Sequence, residues 1–243
     1  MDIAALFRYL RVVDVADAMD GMGYFDIGLM DSDVRPLWLG MKFWGPAFTF
    51  RCVPANRPMW KLETTDEIVR DHAIWYARYP APVTIGKVGQ LVQPGQVIVQ
   101  EAGDSRETGY WGSNSAMAMV AQGAVGIVTD GECRDTYEVV LQRTPVCCRR
   151  RARTIIPGRI MEVEANVVIS CGGVQVRPGD MVGCDDDGVI VVPHDIAVEV
   201  AVHARAVLLA DMHGRRELYE RLGMQPDETV DVEAVEKYYA ELK

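Results

Sequence analysis

The chain has 243 residues, 49% of them hydrophobic, and a formal net charge of −10. This is enough apolar material for a full core, and the length suits one domain over 1–243 with an insertion and a helical tail. The acidic balance argues against a general nucleic-acid surface, which needs a basic face, and no apolar run approaches the ~18 residues of a membrane span.

The first residues carry Asp2, Arg8 and Arg11 and lack the apolar core and cleavage site of a secretory signal, so a cytoplasmic location is expected. Apolar residues recur at helical spacing through Ile3, Leu6, Leu10, Val13 and Ala16, predicting one helix over 3–23 that ends at Gly21 and Gly23. Residues 45–53 alternate and are β-prone, hence a strand. Residues 58–80 mix charges with Trp60, Trp75, Tyr76 and Tyr79 and read as the core of an insertion spanning about 57–90, helical or irregular. Pro94-Gly95 marks a turn before a buried strand within 93–103. A short helix over 112–123, capped by Ser113 or Asn114 and ended by Gly123, leads into an apolar run at 124–131 that suits a strand buried on both faces. Asp130-Gly131 is read as the turn that ends this strand. A short helix at 137–142, a strand at Pro145–Cys148, a strand at 166–171 and two strands around tight turns at 176–193 follow, with helices over about 195–220 and 231–242 in a tail of about 195–243. Crossover and hairpin connections together make this an α/β chain.

Several chemistry-bearing residues have ordinary readings. The six cysteines include no C-x-x-C pair and read as reduced, buried thiols, with Cys133 not a nucleophile. Asp185, Asp186 and Asp187 before Gly188 lack calcium-loop spacing and suit a turn. His72, His194, His203 and His213 read as surface or structural. Arg149, Arg150, Arg151 and Arg153 form a local basic run, read as a solvated or inter-subunit patch in which Arg149 is best placed to reach a neighbouring site. The five lysines, Lys42, Lys61, Lys87, Lys237 and Lys243, all lie outside the segment richest in chemistry, against a Schiff-base route.

That segment is 109–135. Gly112 leads into a helix N-terminus, where the amides of Ser113, Asn114 and Ser115 are free to face an anion such as a substrate carboxylate. A buried strand then delivers Arg134 and Asp135, an arginine fork beside a carboxylate able to hold a metal. An ordinary capped helix and an Arg–Asp pair would look the same from spacing alone.

The pattern Gly112, Gly123, Gly126, Val128, Asp130, Gly131, Arg134 and Asp135 resembles the family of 4-hydroxy-4-methyl-2-oxoglutarate/4-carboxy-4-hydroxy-2-oxoadipate aldolases and the regulator of ribonuclease E activity A. Residues 12–23, 44–54 and 171–193 extend the likeness; most of 57–90 and the end of the tail lie outside it. The resemblance implies an αββα sandwich core of the swivelling β/β/α type, and a homotrimer or homohexamer with sites between subunits. It implies a Mg²⁺- or Mn²⁺-dependent lyase that cleaves a small 2-oxo acid to pyruvate, with no nucleic-acid or membrane partner. Arg134 would contact the C2 oxygen, Asp135 would bind the metal, and Gly112, Ser113, Asn114 and Ser115 would cradle the carboxylate. Where the family's aldolases commonly place Asp or Glu after the first glycine, this chain has Ser113, for which Glu101, Asp104 or Glu107 could compensate. Two further readings stand beside the lyase: a protein-binding regulator, and a dehydratase or hydratase of a sugar-derived acid using the same machinery.

Overall fold

The helical periodicity of 3–23 is split in two in the computed structural model, which describes residues 2–103 and 107–242. Helix α1 (Ile3–Phe7) and helix α2 (Val12–Gly21) are separated because the sheet claims the backbone between them. Trp44 Nε1 donates to the Leu10 carbonyl at 3.0 Å and Lys42 Nζ to the Tyr9 carbonyl at 2.9 Å. Asp14 then reaches back to accept from the Arg11 amide at 2.8 Å, which starts α2.

Strand β1 (Arg35–Pro36) precedes a long β2 (Phe43–Pro54). The insertion holds three short helices, α3 (Thr65–Val69), α4 (Asp71–Arg78) and α5 (Ile85–Leu91). The sheet resumes with β3 (Val97–Glu101) and β4 (Gly109–Trp111). Helix α6 (Ser113–Ala121), β5 (Gly126–Cys133), α7 (Thr136–Leu141) and β6 (Val146–Arg151) complete two crossovers. Strands β7 (Ile160–Ala165), β8 (Ile169–Cys171), β9 (Val174–Val176), β10 (Met181–Asp185) and β11 (Gly188–Val192) are followed by α8 (Ala197–Leu222) and α9 (Val232–Glu241).

The main sheet runs β1-β6-β5-β3-β2-β10-β11, with β4 added to β5 and β7 to β2. Its centre is parallel, β2 with β3, β3 with β5 and β5 with β6, as the crossovers require; the β10–β11 hairpin is antiparallel. The expected α/β class holds. Strand β5 has Ile127 and Val128 fully buried, as its unbroken apolar run predicts. One core packs Phe50, Ile98, Ile127 and Trp111 under α5, α6 and α7; another packs α1, α2, α8 and α9 against Trp44, Ile190 and Val192. Among the described residues no helix is long and apolar enough to cross a membrane.

Asp130-Gly131 is not a terminating turn. Strand β5 continues to Cys133, and the pair lies where its register with β6 shifts, between Thr129 and Glu132. The Asp130 carboxylate accepts from the Ala102 amide at 2.8 Å and the Gly172 amide at 3.3 Å, tying three segments together. The acidic run does form a turn between β10 and β11, with Asp185 also accepting from the Val12 amide at 2.8 Å.

Candidate active site

Two strand-to-helix turns lie side by side at one end of the sheet. Strand β4 pairs in parallel with the end of β5, and the Arg134 amide donates to the Trp111 carbonyl at 2.8 Å. One turn runs β4–Gly112–α6 and the other β5–Arg134–Asp135–α7, so the starts of the two helices are neighbours. Backbone contact this close explains both glycines. A Cβ on Gly109 would lie 2.7 Å from Arg134 Cβ, and one on Gly112 would lie 2.6 Å from Asp135 Oδ2.

Gly112 itself is the N-cap of α6, in place of the expected Ser113 or Asn114. Ser115 Oγ reaches back to accept from the Gly112 amide at 3.0 Å. The Ser113 amide donates to Asp135 Oδ2 at 3.3 Å, setting the carboxylate against the positive end of the helix. Asp135 caps α7 with φ 52° and ψ 36°, the left-handed region that costs a non-glycine residue about 1–3 kcal/mol. The strained backbone holds its carboxylate beside Arg134, whose Nε lies 3.6 Å from Asp135 Oδ1; the two side chains are 35% and 37% exposed, open to a small molecule.

Gly112, Asn114, Ser115, Arg134 and Asp135 line one cavity of about 460 Å³. Ser113, expected in the same cradle, is not among the lining residues, and its amide is engaged by Asp135. The remaining wall was not foreseen. The insertion contributes Ile68, Val69, Asp71, His72 and Ile85, with Ile155 from the segment before β7. His72, grouped above with surface or structural histidines, is half-buried in this wall. Its ring stacks on Tyr76 with centroids 5.8 Å apart. Tyr76 donates to Glu162 Oε2, and Tyr110 donates to Glu162 Oε1 at 2.8 Å. Glu162 on β7 is fully buried, and that burial pushes its carboxyl above the usual range against the pull of both hydroxyls. The three side chains tie α4 to the strand that leads into Gly112.

Burial lowers the His72 imidazole below its ordinary value, with Asp71 opposing and Arg134 reinforcing the effect. An unfolded chain protonates this group below about 6.5. The stability His72 contributes is therefore complete above that value and is lost as pH falls through the lower folded-state value. A His72→Phe protein should lose less thermal stability than the parent from about pH 7 to about pH 5. An unchanged slope would mean that His72 is not the group responsible.

Two of the three proposed substitutes for an acidic residue at position 113 are otherwise engaged. Glu107 pairs with Arg153 at 2.8 Å and Glu101 accepts from the Ser170 amide at 3.1 Å; Asp104 lies outside the described residues. The basic run is largely neutralised within the chain. Arg149 binds Asp31 and Asp33 at 2.6 and 2.9 Å, and Arg150 binds Glu132 at 3.1 Å. Hydrogen bonding to Cys148 and burial push the Cys133 thiol well up, which suits an inert side chain.

A family model described as RraA-like, Aldolase/RraA, matches residues 12–191. The chain belongs to the RraA-like family. The 4-hydroxy-4-methyl-2-oxoglutarate aldolase of Thermus thermophilus is 32% identical over 112 residues, 45% of this chain and 66% of that one. A Halalkalibacterium halodurans protein bearing the same aldolase name provisionally is 28% identical over 194 residues, 79% of this chain and 77% of that one. Protein DlpA of Legionella pneumophila is 26% identical over 198 residues, 82% of this chain but 28% of that longer protein, so the chain spans about a quarter of DlpA. Among solved structures, RraAS2 of Streptomyces coelicolor, described as an unusual member of the RNase ES inhibitor RraA family, aligns with a TM-score of 0.67 at 26% identity, covering 90% of this chain and 95% of that one. The family thus includes proteins named as aldolases and proteins named as ribonuclease inhibitors.

Proposed function

We propose that this family member is a divalent-metal-dependent carbon–carbon lyase that cleaves a 2-oxo acid by retro-aldol reaction or decarboxylation. The supporting observation is the convergence of Arg134, Asp135 and the start of α6 on one cavity. The donors suit a hard, water-rich cation such as Mg²⁺ or Mn²⁺. Asp135 offers a half-exposed carboxylate, and Gly112 leaves the space before it clear. Asp135 would hold the ion, and the ion when bound supplies positive charge for the developing enolate oxygen.

This chain's residues do the rest. The amides at Asn114 and Ser115 take the substrate carboxylate at the helix start. Arg134 donates to the C2 oxygen as negative charge gathers there. In a retro-aldol reaction the C3–C4 bond breaks and its electron pair moves to C3, conjugated with C2–O. The C4 hydroxyl proton passes to water in the open cavity as the new carbonyl forms, C3 takes up a proton from water, and pyruvate and a carbonyl compound result. In decarboxylation the same C3–C4 bond breaks, but C4 is an ionised carboxylate with no hydroxyl proton to lose; it departs as CO₂ and C3 takes up a proton from water.

Chelator-sensitive pyruvate release from oxaloacetate, 4-hydroxy-4-methyl-2-oxoglutarate or 4-hydroxy-2-oxopentanoate tests this reading; its absence from all three would reject it. The neutral Ser113 supports the second reading, a protein-binding regulator, by leaving a weaker metal site. Ser113→Asp should therefore tighten Mn²⁺ binding by about 10-fold, the size expected of a group orienting the ion's surroundings. Titration calorimetry would measure it, and unchanged affinity would mean that position 113 does not tune metal binding.

A further inference from the structure

The helices of the insertion line the same cavity as Arg134, Asp135 and the start of α6, and so offer a surface to the far end of a substrate whose pyruvyl half those groups would hold. That wall is chemically distinct. Ile68, Val69, Ile85 and Ile155 are aliphatic, and Ile68 and Val69 stand 59% and 77% exposed, so their side chains are open to a ligand in the cavity. The polar members carry no positive charge that would suit an anion. Asp71 is acidic, and its Oδ1 accepts from the His72 amide at 2.6 Å. His72 has its Nε2 buried and without a hydrogen-bond partner, so its ring serves as a neutral surface. Among the described lining residues Arg134 is the only cation, and it stands beside Asp135.

We infer that the insertion selects 2-oxo acids whose distal half is uncharged and apolar, and disfavours those ending in a second carboxylate. This rests on the lyase reading and narrows its substrate class. A distal carboxylate would exchange water for aliphatic side chains and would meet Asp71, a like charge that raises the free energy of the wrong ligand. An alkyl end of the same shape would instead cover Ile68, Val69 and Ile85. The wall is held by the Tyr76–Glu162–Tyr110 bonds, so selectivity is built into the fold around the cavity.

The experiment uses the full chain with Mn²⁺ and three probes: oxalate, which mimics only the enolate half, and the pair 2-oxoglutarate and 5-methyl-2-oxohexanoate. The pair share one skeleton and differ in carboxylate against isopropyl at the far end. Calorimetric competition should show 5-methyl-2-oxohexanoate bound about 10-fold more tightly, the value of two buried methyl groups. Ile68→Arg and Asp71→Asn should each shrink that ratio while leaving oxalate affinity unchanged. Tight oxalate binding with 2-oxoglutarate held equally or better would overturn the inference and leave the lyase reading standing. A ratio that neither substitution alters would also overturn it, since the preference would come from elsewhere. Failure of all three probes to bind would end both.

Discussion

An Arg134→Ala protein is expected to release pyruvate with kcat/KM lowered by about 10²–10³-fold, the usual effect of removing one preorganised donor from a developing oxyanion. The loss should fall mainly on kcat, because under the proposed mechanism the charge that Arg134 would meet is larger in the transition state than in the substrate. The fold should be little changed. Arg134 holds its place in the chain through its backbone amide on the Trp111 carbonyl, which the substitution keeps, and its side chain is 35% exposed. A far-ultraviolet circular dichroism spectrum matching the parent, together with the kinetic loss, separates this from misfolding. A loss below about tenfold would remove Arg134 from the reacting centre.

Trp75→Ala is expected to cost about 3–5 kcal/mol, the range for emptying a buried tryptophan site. Trp75 is fully buried in α4 and packs edge-on against Tyr76 at 5.1 Å and Tyr79 at 5.9 Å. Its indole N–H is buried without a partner, so the substitution also relieves one unmet polar group and the cost should sit toward the lower end. The insertion helices are short, and α3 has no buried residue, so they depend on packing rather than on their own stability. Hydrogen exchange should therefore accelerate first across residues 65–91 and reach β3 and β5 only near global unfolding. Uniform acceleration over the whole chain would mean that the insertion and the sheet unfold as one unit.

The part of the site carried by residues 109–135 is legible in the sequence because one segment supplies it. Gly109 and Gly112 are demanded by close contact with Arg134 and Asp135, and Gly123, Gly126 and Gly131 by contact with Pro94, Phe43 and Ala102, so the glycines leave a fixed spacing. The other wall is not legible. Asp71 and His72 look like any helix start, and their place beside Arg134 depends on Tyr76 finding Glu162, far along the chain. Strand β7 escaped notice for a related reason. Its buried face carries Ile160 and Glu162, a carboxylate where the pattern expects a hydrocarbon. The break between α1 and α2 is set by Trp44 and Lys42 from the sheet, which local periodicity does not contain. One signal was available: Thr64 and Glu67 have capping-box spacing, and Thr64 Oγ1 does accept from the Glu67 amide at 3.2 Å at the start of α3.

Under the proposed mechanism Arg134 and Asp135 stabilise the enolate of a pyruvyl group, whatever is attached beyond it. Exchange of the pyruvate methyl protons for deuterium, followed by proton NMR in D₂O with Mn²⁺ removed before acquisition, tests that step without knowledge of the distal half. Exchange is expected to need the divalent ion and protein together and to be lost in both Arg134→Ala and Asp135→Asn. Exchange no faster than with the ion alone, or exchange that survives both substitutions, would contradict it.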